Sequence, residues 1–512
     1  GVTDDFFRIG GNSILAIQVT VQIRMKFKKE LTVRELFLKR TVRWIAEFLD
    51  SKEEHLEMIF DLSLKIGVKE LESGEVLYPT VILQSNRYID YRNEIYHSPN
   101  ACIPTELRGV NEEVLSQAIH QLVLRHESLR TLFLDIDGVV YQRIIPEESI
   151  PDYLAKLDIR NIENQKEELD GILKSMTYYY FDFQTEPSIQ FRLIHLDTDK
   201  YVFVMALDHM IYDVFAIGII QRDLQVLYRS ILEGTPNTLV PLEIQYKHYA
   251  MNHQRHYQGD LLKFHKTHAE NLFRGGVPER LNLKARKKNL NENQIKPIDK
   301  ASEAGVWQFM IQEKLLFEMQ ELAKNKELSL YNLILASYCV FLYEISEQDD
   351  FFVDTPISAR NHEYFDEIVG WMTGALRLRL GVDEEIRFSE LLESCKDAIG
   401  IAMDHIHYLD HEADFGVKWE SNATLVNVVM VNSKIKLPKM VLSHIEAMYS
   451  VFKIAVRIDV YENGALVNFT YRYDFINQSE IEGICQQYLN IMKSLVKDPN
   501  EIIQSILGKF RN

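Results

Sequence analysis

Apolar and polar positions alternate with strand-like and helical spacing along much of this chain. The longest uninterrupted apolar run covers residues 201–207 (YVFVMAL) and stops at Asp208-His209. A run of this length, rich in Val, Phe and Tyr and bounded by a charge, predicts a buried strand. Apolar residues recur at helical spacing after Asp213, which predicts a helix. We therefore expect His209 at the end of a strand, where a fixed backbone aims the imidazole into a cleft.

The same spacing rules predict strands and helices on both sides of this stretch. Predicted strands cover 101–108, 131–134, 142–145, 351–356, 375–380, 426–431 and 467–473. Predicted helices cover 113–124, 328–345 and 481–496, and an amphipathic helix follows Ser13. Strands that alternate with helices indicate a layered α/β architecture.

Composition and charge narrow the class of protein. The chain has 512 residues, 46% apolar and 26% charged, which suggests a globular protein of about three or four units. The net charge of −18 argues against a nucleic-acid partner, and the apolar runs are too short to predict a membrane span. Four widely spaced cysteines form no CxxC pair, so we expect a reduced, cytoplasmic setting.

A motif near the start of the chain carries a candidate modification site. Residues 4–13 read DDFFRIGGNS, and Ser13 opens the helix that follows. An isolated GGxS would predict a helix cap. The full stretch resembles the attachment motif of peptidyl carrier proteins, (D)xFFxxGGxS(L/I). That resemblance implies 4′-phosphopantetheine bound covalently to Ser13, and it places the first carrier helix before Gly1.

From about residue 78 the chain resembles the condensation domains of nonribosomal peptide synthetases. The family signature HHxxxDG is matched by DHMIYDV at 208–214. Further matches are RHESLRTLF at 125–133, FDFQTEPSIQFRL at 181–193, ISAR at 357–360, IVGWMTGALRLRL at 368–380 and NFTYRYDFI at 468–476. The resemblance implies two chloramphenicol-acetyltransferase-like lobes in a V, and hence an α/β (α+β) fold preceded by a small helical bundle.

The expected organisation has four parts. Residues 1–52 form the carrier domain, 53–77 a linker, 78–254 the N-terminal lobe and 255–512 the C-terminal lobe. The chain begins without Met and close to a motif, so we expect a segment of something longer.

The resemblance assigns roles to individual residues. His209 matches the functional His, Asp213 the structural Asp and Arg360 its ion-pair partner. Asp208 replaces the first His, Val214 replaces the Gly, and Gly374 stands where the family usually has Asn. Met210, Tyr212 and Gly374 are candidates for the substrate tunnel. Asp208 would raise the pKa of His209 if the two side chains meet, although neighbouring strand residues normally point to opposite faces.

The implied reaction is attack of an acceptor amine on a donor acyl or peptidyl thioester, with loss of the thiol. The donor is attached to its own carrier, and the acceptor is a carrier-bound aminoacyl group or a free amine. Condensation onto a free amine would terminate the chain. The implied partners are a phosphopantetheinyl transferase and other synthetase modules, with no nucleic acid and no membrane.

Two alternatives stay open, and no metal site is expected. A heterocyclisation domain would use a DxxxxD signature, which Asp208 and Asp213 satisfy. A condensation-like domain with a degraded signature could instead serve only to dock carriers or recruit a tailoring protein. Histidines that fall near helical spacing at 248–268, and again at 405–411, are interpreted as solvated helix faces rather than metal ligands.

Overall fold

The structure is a computed structural model of the 512-residue chain. It describes residues 1–3, 6, 19, 23, 27, 29, 31, 35–36, 40–51, 63–93, 99–279, 281–283, 302–326, 328–360, 363–405, 423–430, 448–450, 452–461 and 463–510.

Two compact units divide the chain. Phe60–Lys263 and Ser358–Thr373 form one, here the His209 unit; Gly1–Ile59, Phe264–Ile357 and Gly374–Asn512 form the other, here the C-terminal unit. The sequence pattern assigned every residue after 254 to a single lobe. In the structure, the segment Ser358–Thr373 returns to the unit that contains His209.

The described part of residues 1–52 contains helix α1 (Val42–Ser51). Ile45 and Leu49 of this helix pack with Leu31 and Leu36 in a small core of their own. Ser13 lies outside the described residues, as does the rest of its motif apart from Phe6.

The His209 unit contains two four-stranded sheets with helices between the strands. One sheet has the order β1-β2-β5-β4 and the other β3-β8-β7-β6. In chain order the elements are β1 (Lys69–Glu70), β2 (Val76–Pro79), α2 (Ile82–Arg92), β3 (Ala101–Arg108), α3 (Glu112–Arg125), β4 (Thr131–Ile136), β5 (Val139–Ile144), β6 (Leu154–Asp158), α4 (Gln165–Thr177), β7 (Ile189–Asp197), β8 (Lys200–Leu207), α5 (Val214–Glu233), α6 (Tyr246–His253) and α7 (Gly259–Leu272), which leads into the C-terminal unit.

Strand β8 is the predicted buried strand, and the structure confirms it. Every residue from Tyr201 to Leu207 is buried, because β8 lies between β3 and β7 and both of its faces are covered. The predicted helix after Asp213 is confirmed as α5, and the predicted hairpin as β4 paired with β5.

The C-terminal unit is built on a seven-stranded sheet with the order β11-β10-β12-β14-β15-β9-β13. Its elements are β9 (Ser302–Gln312), α8 (Glu313–Asn325), α9 (Leu330–Ser346), β10 (Asp350–Ser358), β11 (Thr373–Gly381), α10 (Phe388–Met403), β12 (Ala423–Met430), β13 (Met448–Ser450), β14 (Ile454–Tyr461), β15 (Gly464–Arg472), α11 (Ile481–Lys497) and α12 (Ile503–Gly508). Strands β10, β12 and β14 run parallel, whereas β15 and β9 pair in antiparallel fashion. The chain is thus of mixed α/β class, as expected.

Helix α9 is apolar around its whole circumference because it lies inside the C-terminal core. Fourteen of its seventeen residues are buried, including Tyr338 and Phe341. Within the described ranges, no single helix is both long and apolar enough to cross a membrane; α8 and α9 meet that criterion only as a pair bent by 107°.

Candidate active site

The signature residues form a tight turn between β8 and α5. The Asp208 amide donates to the carbonyl of Ser188 (3.0 Å), which continues the pairing of β8 with β7 by one residue. The Ile211 amide then donates to the Asp208 carbonyl (3.2 Å), which closes the turn that carries His209. Both ends of the turn are therefore fixed, one by the sheet and the other by the start of α5.

Asp208 is engaged by a residue from α2. Arg87 donates through Nε to Oδ1 (2.7 Å) and through Nη2 to Oδ2 (2.5 Å), and the Met210 amide also donates to Oδ1 (2.9 Å). The side chain of Asp208 is 8% exposed. Three hydrogen bonds, two of them from a two-pronged ion pair, hold this buried carboxylate in one orientation. Asp208 therefore organises the turn.

The imidazole of His209 contacts two aromatic rings. Its centroid lies 4.7 Å from the stacked ring of Tyr212 and 4.3 Å from the tilted ring of Trp371. Its Nδ1 atom is buried and, among the described residues, has no hydrogen-bond partner in another residue, although the backbone of His209 itself interacts with the ring. With Nδ1 shielded, only Nε2 is left to meet a reacting group.

Burial lowers the pKa of His209 below its ordinary value, and the positive charge of Arg87 lowers it further. Asp208 and Asp213 act in the opposite direction but do not reverse the shift. Asp208 thus raises this pKa, as expected from a neighbouring carboxylate, but desolvation of the ring and the charge of Arg87 outweigh it, so the net shift is downward. The imidazole is neutral at pH 7 and is able to accept a proton.

Asp213 has two functions at the start of α5. It is the N-cap, and its Oδ1 accepts from the Ala216 amide (2.8 Å). It also pairs with Arg360, whose Nη2 lies 2.9 Å from Oδ1 and whose Nε lies 3.2 Å from Oδ2. The two side chains are 0% and 5% exposed, so the pair is buried.

Arg360 also organises the loop that leads to Trp371. Its Nη1 donates to the carbonyls of Phe365 and Ile368 (2.9 Å to the latter), and its Nη2 to that of Gly370 (3.3 Å). Gly370 itself lies against the buried ring of Tyr246, where an added Cβ would come within 1.9 Å of Cδ2. Only glycine fits there, and this close contact fixes the position of the backbone that leads into Trp371.

The other residues predicted for the signature and the tunnel differ in how deeply they are buried and in which unit they lie. Met210 is fully buried in the apolar core, so its side chain supports the turn and does not line an open tunnel. Tyr212 is partly buried against the same core, and Val214 is 69% exposed. Gly374 is the second residue of β11, in the C-terminal unit.

The interpretation of the other histidines as solvated helix faces is wrong for His253, His265 and His405, which are 5%, 2% and 6% exposed. In the C-terminal unit, Nδ1 of His265 lies 2.9 Å from Nδ1 of His405. Helical spacing correctly placed His253 and His265 on helices, whereas His405 lies in the turn after α10, and spacing could not show that neighbouring elements cover these residues. In the described portions of the chain, no three His, Cys, Asp or Glu side chains are arranged to hold a metal ion.

Sequence reasoning missed three residues of the site: Arg87, Tyr246 and Trp371. Arg87 lies 121 residues before its partner Asp208. Nothing in the local pattern of α2 distinguishes it from a surface arginine. Trp371 did carry a signal, since it falls inside the quoted stretch IVGWMTGALRLRL and is one of only four tryptophans.

A family model described as "Condensation domain" matches residues 93–508, which is most of the chain. The chain belongs to the condensation-domain family. A second model, "Phosphopantetheine attachment site", matches residues 1–49, so the segment that contains Ser13 is a carrier domain for this cofactor. The order carrier then condensation domain is the one that the sequence predicted.

Curated relatives are long synthases. Gramicidin S synthase 2 of Aneurinibacillus migulanus is 25% identical over 516 residues and bacitracin synthase 3 of Bacillus licheniformis is 26% identical over 517. Each alignment covers 98% of this chain, but only 11% and 8% of the respective synthase. The chain therefore corresponds to a small part of such a synthase.

Solved structures share the fold. The X-domain in its complex with OxyB from teicoplanin biosynthesis superimposes with a TM-score of 0.72 at 16% identity, covering 84% of this chain and 95% of that one. The first condensation domain of the calcium-dependent antibiotic synthetase gives a TM-score of 0.63 at 14% identity, covering 84% and 98%.

Proposed function

We propose that this condensation domain forms an amide bond between a donor acyl or peptidyl thioester and an acceptor amine. The observation that carries the proposal is the protonation state and the position of the His209 imidazole. A neutral imidazole lies at the end of a rigid strand, and its Nδ1 is shielded from other partners. That is the arrangement expected of a group that takes a proton from an attacking amine.

The bond changes balance without a further reactant. The amine nitrogen attacks the thioester carbon, the C–N bond forms and the C–S bond breaks. His209 accepts the proton that the amine loses and passes it to the departing thiolate, so the imidazole is neutral again at the end. Phosphopantetheine on Ser13 would supply the thiol and hence an activated acyl carbon; Ser13 itself lies outside the described residues. Because the thioester is already activated, the protein contributes mainly orientation and a base.

The implied partners follow from this chemistry. A phosphopantetheinyl transferase would install the arm on Ser13, and neighbouring synthetase modules would supply the donor and receive the product. The acceptor is an aminoacyl group on another carrier or a free amine, and the latter case would end the chain.

The test is turnover of holo protein that carries a synthetic acyl thioester and is offered a panel of amines, with products identified by mass. We expect the His209→Ala variant to lose most of the amide product. His120→Ala, a change at an exposed position on α3, is the matched control and should keep full turnover. Equal rates for the wild type and His209→Ala would refute the proposal.

Heterocyclisation is less well supported by the geometry. It would need Asp208 as a reactive carboxylate, whereas Arg87 and the Met210 amide already occupy that group. A cysteinyl acceptor distinguishes the two reactions, because cyclisation to a thiazoline loses one further water, whereas simple condensation does not.

A non-catalytic docking role is the second candidate. It is favoured by the departures at Asp208 and Val214 and by the likeness in fold to an X-domain that was solved in complex with OxyB. Under this hypothesis the chain would hold a carrier-bound substrate in front of a separate tailoring protein. The His209→Ala comparison separates the two functions, since docking does not require the imidazole.

A further inference from the structure

The loop before β11 holds a tryptophan against the imidazole of His209. The ring centroids of Trp371 and His209 are 4.3 Å apart, with the planes inclined by 45°. Both residues belong to the His209 unit, although 162 positions separate them in the sequence. Van der Waals contact at this distance restricts the rotamers that the imidazole is able to adopt.

Side chains fix the backbone of this loop residue by residue. Four consecutive carbonyls, from residue 368 to residue 371, each accept a hydrogen bond from a side chain that is mostly or fully buried. Arg360 donates to Ile368 (2.9 Å) and Gly370 (3.3 Å), Ser128 to Val369 (2.6 Å) and Tyr246 to Trp371 (2.7 Å). A loop with this many buried hydrogen bonds has little freedom to move the indole away from His209.

The polar atom of the indole is used within the loop itself. Trp371 Nε1 donates to the carbonyl of Thr373 (2.7 Å). The face that the indole presents to His209 is therefore apolar, and the contact is one of packing. Tyr212 supplies a second ring at 4.7 Å. Since Nδ1 of His209 is buried, these contacts leave Nε2 as the atom that is able to reach the substrate.

We propose that Trp371 is a positioning residue, which packs against the imidazole of His209 and holds it in the single orientation that directs Nε2 at the attacking amine. The role rests on the proposed function of His209. Trp371 touches neither the proton nor the amine, so its contribution is geometric. Misplacing a catalytic group by about 1 Å can cost about a hundredfold in rate.

Three variants test this role. Trp371→Leu removes the ring, Trp371→Phe keeps a smaller ring, and Trp307→Leu changes a partly buried tryptophan in the core of the C-terminal unit. We expect kcat to fall about tenfold to a hundredfold in Trp371→Leu, to recover mostly in Trp371→Phe and to stay at the wild-type level in Trp307→Leu.

A second measurement separates positioning from a general loss of stability. The pKa of His209 is followed by NMR in protein labelled at the histidine rings, with the signal assigned from a His209→Gln variant. Water that reaches the ring in Trp371→Leu reduces the effect of burial, so this pKa should rise toward its ordinary value. The charged groups that act on the ring, Arg87, Asp208 and Asp213, are the same in every variant.

Wild-type values of both kcat and the His209 pKa in Trp371→Leu would overturn the proposal. So would a Trp371→Phe variant that is as impaired as Trp371→Leu. The NMR titration needs no turnover, so it reports on the ring contact even if His209→Ala proves fully active. That last result would refute the amide-forming function and leave the contact itself established.

Discussion

The Asp213–Arg360 pair provides the sharpest quantitative test of how the site is held together. Both side chains are almost completely buried. Removing one partner of a buried ion pair leaves an uncompensated charge, which costs about 3–5 kcal/mol. Asp213→Asn removes the charge but keeps a good N-cap, because Asn caps helices about as well as Asp. We therefore expect this variant to lose about 3 kcal/mol, near the lower limit, since three carbonyls still solvate Arg360.

Two further variants separate the cap from the charge. Asp213→Ala also removes the acceptor for the Ala216 amide, so it should cost about 1 kcal/mol more than Asp213→Asn. Asn111→Ala is the matched control, because Asn111 caps α3 in the same way but has no ion pair. It should lose only about 1 kcal/mol.

The assay is equilibrium urea unfolding, combined with hydrogen exchange of peptides from α5 and from Ser358–Thr373. Asp213→Asn should increase exchange in both peptides, whereas Asn111→Ala should leave both unchanged. The double variant Asp213→Asn/Arg360→Met should be less destabilised than the sum of its two single variants. The reasoning fails if Asp213→Asn costs no more than the Asn111→Ala control.

Four more outcomes follow, three from the site and one from the carrier segment. The lowered pKa of His209 predicts that turnover rises with pH through an apparent pKa below about 6.5. It also predicts that the free energy of unfolding decreases as pH falls below that value, because the unfolded chain then binds a proton that the buried ring does not. Arg87→Met removes a positive charge and leaves Asp208 unneutralised, so the pKa of His209 should rise and the acid limb of a pH–rate profile should move to higher pH. Arg92→Met, which changes an exposed arginine on the same helix, is the control and should not move it. Gly370→Ala should lower kcat strongly, because the new Cβ overlaps the buried Tyr246 ring and displaces Trp371; Gly171→Ala, with open space around the Cβ, is the control. Ser13→Ala should abolish loading by a phosphopantetheinyl transferase, as seen by intact mass, and a variant that still gains the arm would contradict the assignment of Ser13.

The sequence alone determined the local frame of the site. An apolar run predicted β8, the charge at its end predicted where the strand stops, and helical spacing predicted α5. These features are local, because side-chain periodicity depends only on the geometry of one element. The family motifs added the carrier and the condensation domain, and they named His209 as the candidate base.

Only the tertiary structure decided which side chains surround that base. Arg87 neutralises Asp208 from a helix 121 residues earlier, and Trp371 reaches His209 because Ser358–Thr373 returns to the unit of β8. The direction of the His209 pKa shift depends on burial and on these neighbours, so it was not predictable from the adjacent carboxylate. Spacing along a chain specifies which face of an element a residue occupies, whereas the partner on that face is chosen by packing between distant elements.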